Sequence, residues 1–238
     1  MSCPRCGSLN VTKDGTTQLG GQRFRCGQCR RRFTRRSSSA FSGRAFPDDI
    51  IALAVRWYVR YRLSYAEVSE WLAERGVLVD HSTIYRWVQR YLPLFGEAAR
   101  KHRDPVGPDW RADETFARIR GRWHYIYRAI DGHGQIVDAY VSPTRDMVAA
   151  RTFFDRAFAS SGTTPHRIIT EKRLRMRPRW PRRCRAFGIG PVGIARTASS
   201  ANTFFKERPR PIHGLKSVAS AAIFMRGRAL MRNIRRGF

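Results

Sequence analysis

The sequence predicts an α/β chain in three parts: a small metal-nucleated ribbon, a three-helix unit, and a mixed sheet with helices. Three observations predict it. Two C-x-x-C pairs lie within the first thirty residues. Apolar residues at helical spacing then recur from residue 47 to about 100, and strand-like runs separated by glycines follow from 101 to 170. A net charge of +28 on 238 residues is too large for an ordinary metabolic enzyme and makes a polyanion the natural partner, because each neutralised phosphate releases a counterion. The longest apolar run, Ile50 to Val55, is far too short to cross a bilayer, and MSCPRCGS lacks the layout of a signal peptide. The expected location is therefore the cytoplasm, with no membrane partner.

Residues 1–36 form the first part. Cys3-Pro-Arg-Cys6 and Cys26-Gly-Gln-Cys29 each make a tight knuckle that aims two thiolates at one point. Two knuckles supply a closed tetrahedral S₄ shell, which suits a structural Zn²⁺. A segment this short has almost no core without the metal, so zinc would supply most of its folding energy. Between the knuckles, GTTQLGGQRFRC reads as a turn followed by a strand. The basic CRRRFTRR after them suits a module lying on nucleic acid, or else a solvated charged tail. Residues 37–46, SSSAFSGRAF, are a small-residue linker.

Residues 47–100 read as three helices. Pro47 opens the first, with Asp48 and Asp49 in its first turn and an apolar stripe of Ile50, Ile51, Ala54, Val55, Trp57 and Tyr58. The second opens at Ser64 with Glu67 in a capping box, buries Val68, Trp71 and Leu72, and ends at Gly76. The third opens at His81-Ser82-Thr83 and turns Ile84, Trp87, Val88, Tyr91 and Leu92 inward. Helix, short Gly-containing turn, and a helix that starts polar and basic form the helix-turn-helix layout. Ser82, Thr83, Tyr85 and Arg86 are its candidate DNA contacts; a plain three-helix bundle with a wet outer face is the alternative.

From residue 101 the character changes. DWRADETFARIRG, RWHYIYRAID and GQIVDAYVSP are three strands separated by Gly121 and by Gly132-His133-Gly134. A helix with Met147, Ala150, Phe154, Ala157 and Phe158 on one face follows, then HRIIT as a short buried strand. A meander, a helix and a returning strand are compatible with an RNase H-like sheet. In such a sheet the first and fourth strands are neighbours, so Asp113 on one and Glu171 after the other could share a site for Mg²⁺. Glu114 points to the opposite face.

Residues from about 41 to 170 resemble the transposases of the insertion-sequence group six family, which carry a DDE catalytic triad on an RNase H-like fold. FPDDIIALAVRWYVRYRLSYAEVSEWLAERGVLVDHSTIYRWVQRY, WRADETFARIRGRWHYIYRAID and SPTRDMVAARTFF carry the likeness. A shorter match near the end, RPRPIHGLKS with ALMRNIRRG after it, resembles the family's closing segment. The resemblance implies an enzyme that cuts and joins insertion-element DNA with Mg²⁺, acting on element ends and target DNA as a homo-oligomer, since two ends must be joined. It puts the first catalytic acid on Asp113 and the second on Glu171, where the family has Asp. The third, a Glu in an N-N-x-x-E context, has no clean counterpart: counting back from RPRPIHGLKS reaches Ser199, and counting forward from Glu171 reaches Glu207. The count anchored on the motif is preferred.

From 172 to 203 the family pattern disappears and Arg, Pro, Ala and Ser take over, with no helical or strand period. This stretch reads as translation of a shifted frame in a GC-rich gene, restored downstream, against a genuine basic insertion that tracks DNA. Residues 101–171 would then be the first part of a catalytic core and 204–238 its C-terminal remnant. The expected function is an impaired insertion-element transposase, with a catalytically dead, purely DNA-binding remnant as the alternative.

Overall fold

The computed structural model describes residues 1–17, 20–43, 45–61, 63–170 and 217–238. Glu171, Ser199, Glu207 and the stretch 172–203 lie outside the described residues. The chain divides into two compact units, Met1–Ala52 and Leu53–Phe238.

The first unit is built on a three-stranded antiparallel sheet of β1 (Val11–Thr16), β2 (Gln22–Cys26) and β3 (Arg32–Thr34), in that order. Its core is minimal: Cys3, Cys26 and Phe33 are buried, and Phe24 packs on Phe33 with ring centroids 6.0 Å apart. So few apolar groups cannot offset the entropy of ordering the segment.

Three helices follow: α1 (Asp48–Tyr61), α2 (Tyr65–Ala73) and α3 (His81–Arg100). Asp48 and Asp49 occupy the first turn of α1 as expected. The Ser64–Glu67 capping box is present at α2. Gly76, at φ 75°, lets the Val77 N–H reach back to the Leu72 carbonyl and stop that helix. Val68 and Leu72 are buried, but Trp71 is 40% exposed. It sits at the rim of the stripe and sets its ring edge against Trp57 at 5.6 Å. All five residues expected on the inner face of α3 are buried.

The larger sheet has the order β6-β5-β4-β7, where β4 is Asp109–Ile119, β5 Arg122–Asp131, β6 Ile136–Ser142 and β7 Arg167–Thr170. The first three strands form the expected antiparallel meander, and β7 returns parallel to β4 after helix α4 (Met147–Ser161). This is a mixed α/β sheet of RNase H-like arrangement. Trp110, Ala112, Tyr127, Ala129, Phe153 and Phe154 form the core between sheet and α4. On α4, Ala149 and Phe153 join the buried stripe, whereas Met147 stands 42% exposed in the first turn, past the end of that cluster. β7 is less buried than a fully enclosed strand, with only Ile168 inside, because it is the edge strand among the described residues.

The last helix, α5 (Val218–Arg236), packs on β6 and on α3. A Cβ on Gly227 would lie 2.4 Å from the Leu92 side chain, so only glycine lets the two helices approach this closely. Asn233 accepts from the Ile136 N–H at 2.8 Å and donates to its carbonyl at 2.9 Å, imitating a strand neighbour. Arg103, just past α3, donates to the carbonyls of Ile136 and Val137. Helices and sheet of this unit are therefore cross-braced. ALMRNIRRG, read in sequence only as a closing segment, belongs to the brace.

Candidate functional site

The four thiols expected to converge do so. The sulfurs of Cys3, Cys6, Cys26 and Cys29 all lie within 4.8 Å of one another. Cys3 Sγ is 3.5 Å from Cys29 Sγ, and Cys6 Sγ is 3.6 Å from Cys26 Sγ. These spacings are too long for disulfides and close to the edge of a tetrahedron, roughly 3.8 Å, that Zn–S bonds of about 2.3 Å define. The knuckle backbones prepare the sulfurs for a cation. The Cys6 N–H, then that of Arg5, pulls the Cys3 thiol down to about 6 against the burial that raises it. The Cys29 N–H, aided by that of Gln28, lowers Cys26. At Cys6 the Ser8 N–H pulls downward, but burial and the neighbouring sulfurs prevail and push it up to about 11. The four donors fit a tetrahedral S₄ ion.

Ser82, Thr83, Tyr85 and Arg86 lie together in the first turns of α3. Asp80 caps this helix by accepting from the Ser82 N–H at 2.8 Å, and the bonds from Ser82 lower its pKa. Tyr85 and Arg86 are exposed, while Ser82 and Thr83 are half-buried. Tyr85 sets its ring at right angles to Tyr65, with centroids 5.5 Å apart, which fixes its direction. The Arg86 guanidinium reaches back to the Ser82 hydroxyl at 3.4 Å.

Asp113 lies on β4, facing away from the α4 core. Its cross-strand partner is Arg128 on β5. The pair is bidentate: Nε of Arg128 donates to Oδ1 at 3.0 Å, and Nη2 donates to Oδ2. Arg128 is only 3% exposed. Arg232 of α5 is buried nearby; burial, with Arg236 and Arg128 beside it, pushes it down to about 10, and Asp113 opposes that shift. Among the described residues, the charged groups set against Asp113 are the guanidiniums of Arg128 and Arg232. Glu114 is on the other face, as expected, and pairs with Arg145 at 2.6 Å. Arg128 was missed in the sequence reading, although a signal existed. Arg120-Gly121, at φ 49° and 75°, is a two-residue hairpin turn, and counting back along both strands from it pairs Asp113 with Arg128.

The expected adjacency of the first and fourth strands is present. The last described register pair between β4 and β7 is Ala112 with Thr170, one residue before Asp113 and one before Glu171 in sequence. Among the described residues, the four thiols are the one group of three or more metal-ligating side chains, and none includes Asp113. A hard divalent cation asks for several open oxygen ligands. Asp113, with both oxygens held by a buried guanidinium, does not fit that demand as it stands. No helix among the described residues is long and apolar enough to cross a membrane.

Comparison with known proteins bears on both centres. Residues 1–30 match the InsA N-terminal domain, a zinc ribbon, and residues 107–177 match a DDE domain. The chain is 42% identical over 132 residues to the transposase for insertion sequence-like element IS431mec of Staphylococcus aureus strain Mu50, a span covering 56% of this chain and 58% of that one. Identity and coverage are the same with the transposase for insertion sequence element IS257 in transposon Tn4003 of Staphylococcus aureus. The aligned region thus covers less than two thirds of the length of these relatives. A solved structure, the simian T-cell lymphotropic virus intasome in complex with PP2A regulatory subunit B56 gamma, matches 72% of this chain and 67% of its own at 13% identity and a TM-score of 0.36, too loose a likeness to carry an argument.

Proposed function

We propose that this chain, which carries an InsA-type zinc ribbon ahead of a DDE domain, is an insertion-element transposase with a complete DNA-recognising half and an impaired strand-transfer centre. One observation carries the reading: four converging thiols and three consecutive helices precede, in the chain, a sheet in which Asp113 sits beside the strand leading to Glu171. In this reading residues 1–36 are the zinc ribbon, with Cys3, Cys6, Cys26 and Cys29 holding Zn²⁺, which closes the fold and takes no part in chemistry. Residues 47–100 recognise element ends, with Ser82, Thr83, Tyr85 and Arg86 at the major groove. The net charge of +28 supplies the affinity that does not depend on sequence. The protein works in the cytoplasm at the nucleoid, as a homo-oligomer that brings two ends together.

Residues 101–171 are the first part of the catalytic domain, 172–203 a degraded stretch and 204–238 its closing remnant. Asp113 and Glu171 stand at the positions of the family's first two acids, and they would hold Mg²⁺ for the reacting phosphate only if Asp113 were released from Arg128. The third acid is the weak link: Glu207 lies in the wrong context, and Ser199 stands where the anchored count expects Glu. Together with the Arg128 clamp on Asp113, this favours DNA binding without ordinary rates of joining. At the limit the protein is a remnant that only occupies element ends.

The test is labelled element-end DNA with purified zinc-loaded protein and Mg²⁺. The expected result is a shifted band with little nicked or joined product, and weaker binding by Arg86→Ala. Strand transfer at ordinary rates, abolished by Asp113→Ala, overturns the impairment. Binding no tighter than to unrelated DNA overturns the transposase reading itself.

A further inference from the structure

The tip of the β4–β5 hairpin carries a surface that neither the thiols nor the Asp113 centre uses. One face of the tip is anchored, with Ala117, Ile119 and His124 buried. On the other, Phe116 and Trp123 stand 59% and 49% exposed, ring edge to ring face, with centroids 5.2 Å apart. Arg118 is the cross-strand partner of Trp123 and lays its guanidinium 4.7 Å from the indole centroid. Arg120, in the turn, is exposed next to them, while Arg122, the partner of Ile119, is exposed on the other face of the ladder; no acidic residue occurs from Phe116 to Trp123. A strand ladder holds the rings in place, so presenting them costs little further ordering entropy.

Two fixed aromatic faces ringed by cations offer what an unpaired nucleic-acid strand needs: a flat surface on which a base can stack, and positive charge for its phosphates. A duplex, with its bases stacked inside, could use only the charge. We infer that this hairpin tip is a platform for an unpaired DNA strand, with a base on Trp123 or Phe116 and phosphates on Arg118 and Arg120. Charge complementarity selects this occupant over a second copy of the chain, which carries the same arginines and a net charge of +28. Phe116 lies three residues beyond Asp113 on β4, about 10 Å along the strand, and on the opposite face of the sheet. The strand held here is therefore separate from the phosphate at Asp113. Within the proposed function, it is unpaired DNA next to an element end.

The test uses the full zinc-loaded chain and a short single-stranded oligonucleotide of arbitrary sequence containing 2-aminopurine, compared with the same oligonucleotide as a duplex. Wild type should bind the single strand and quench the 2-aminopurine. Trp123→Ala should weaken single-strand binding about tenfold and abolish the quenching, with duplex affinity changed less than about twofold. Trp123→Phe, which keeps a stacking face, should retain most of the affinity. A Trp123→Ala protein that loses both affinities equally, or neither, overturns the platform. A fall in its native mass instead assigns the patch to contact between copies. The oligonucleotide carries no element-end sequence, so failure here leaves end recognition standing, and failure of end recognition leaves this result readable.

Discussion

The thiol cluster and the surroundings of Asp113 are assembled in opposite ways. The cluster draws all four donors from 27 consecutive residues, Cys3 to Cys29, and its geometry is complete. The acids that the family resemblance would join to Asp113 lie far along the chain from it; among the described residues the centre consists of one carboxylate in the grip of Arg128. A site encoded by one short segment survives damage elsewhere. A site assembled from distant segments fails when any one of them is lost.

Removing the metal should have the largest effect and falls on one side of the comparison. Structural zinc contributes on the order of 10 kcal/mol to the folding of such modules. A chelator should therefore unfold residues 1–36, seen as new protease cleavage there, while the thermal transition of Leu53–Phe238 stays where it was. A parallel loss of the larger unit would show that the two are not separate. Next comes the other side: Arg128→Ala strands a partly buried carboxylate and should cost the larger unit about 3–5 kcal/mol in urea unfolding. Pairing Arg128→Met with Asp113→Leu should recover most of that loss. If the double substitution is as unstable as the single one, the pair is not what Arg128 contributes. A smaller loss, about 1–3 kcal/mol, is expected for Asn233→Ala, which leaves the buried Ile136 N–H without its side-chain partner while the carbonyl keeps Arg103. The smallest is Ser64→Ala at the capping box, about 1 kcal/mol by the same measurement.

What could be read from the sequence follows the same division. The cysteine spacing, the capping box at Ser64 and the inner face of α3 come from local pattern, the pairing of the first and fourth strands comes from supposing an RNase H-like sheet, and all are present in the structure. Trp71 and Met147 were misplaced because helical periodicity names a stripe, not where its cover ends. The brace formed by Arg103, Gly227 and Asn233 left no local trace, since each partner lies far off in sequence. Its one hint was the helical spacing of Ala221, Phe224, Met225 and Arg228 in the last segment, all of them buried. Glu171 and Glu207 lie outside the described residues, so their roles rest on the family resemblance and on strand register.

The central claim is that the carboxylate at position 113 is committed to an arginine and does not hold a divalent ion. Manganese titration of the DNA-bound protein, read by electron paramagnetic resonance, tests this directly. The account predicts no bound-ion signal that depends on Asp113. A stoichiometric Mn²⁺ signal in the wild type that disappears in Asp113→Ala would contradict it.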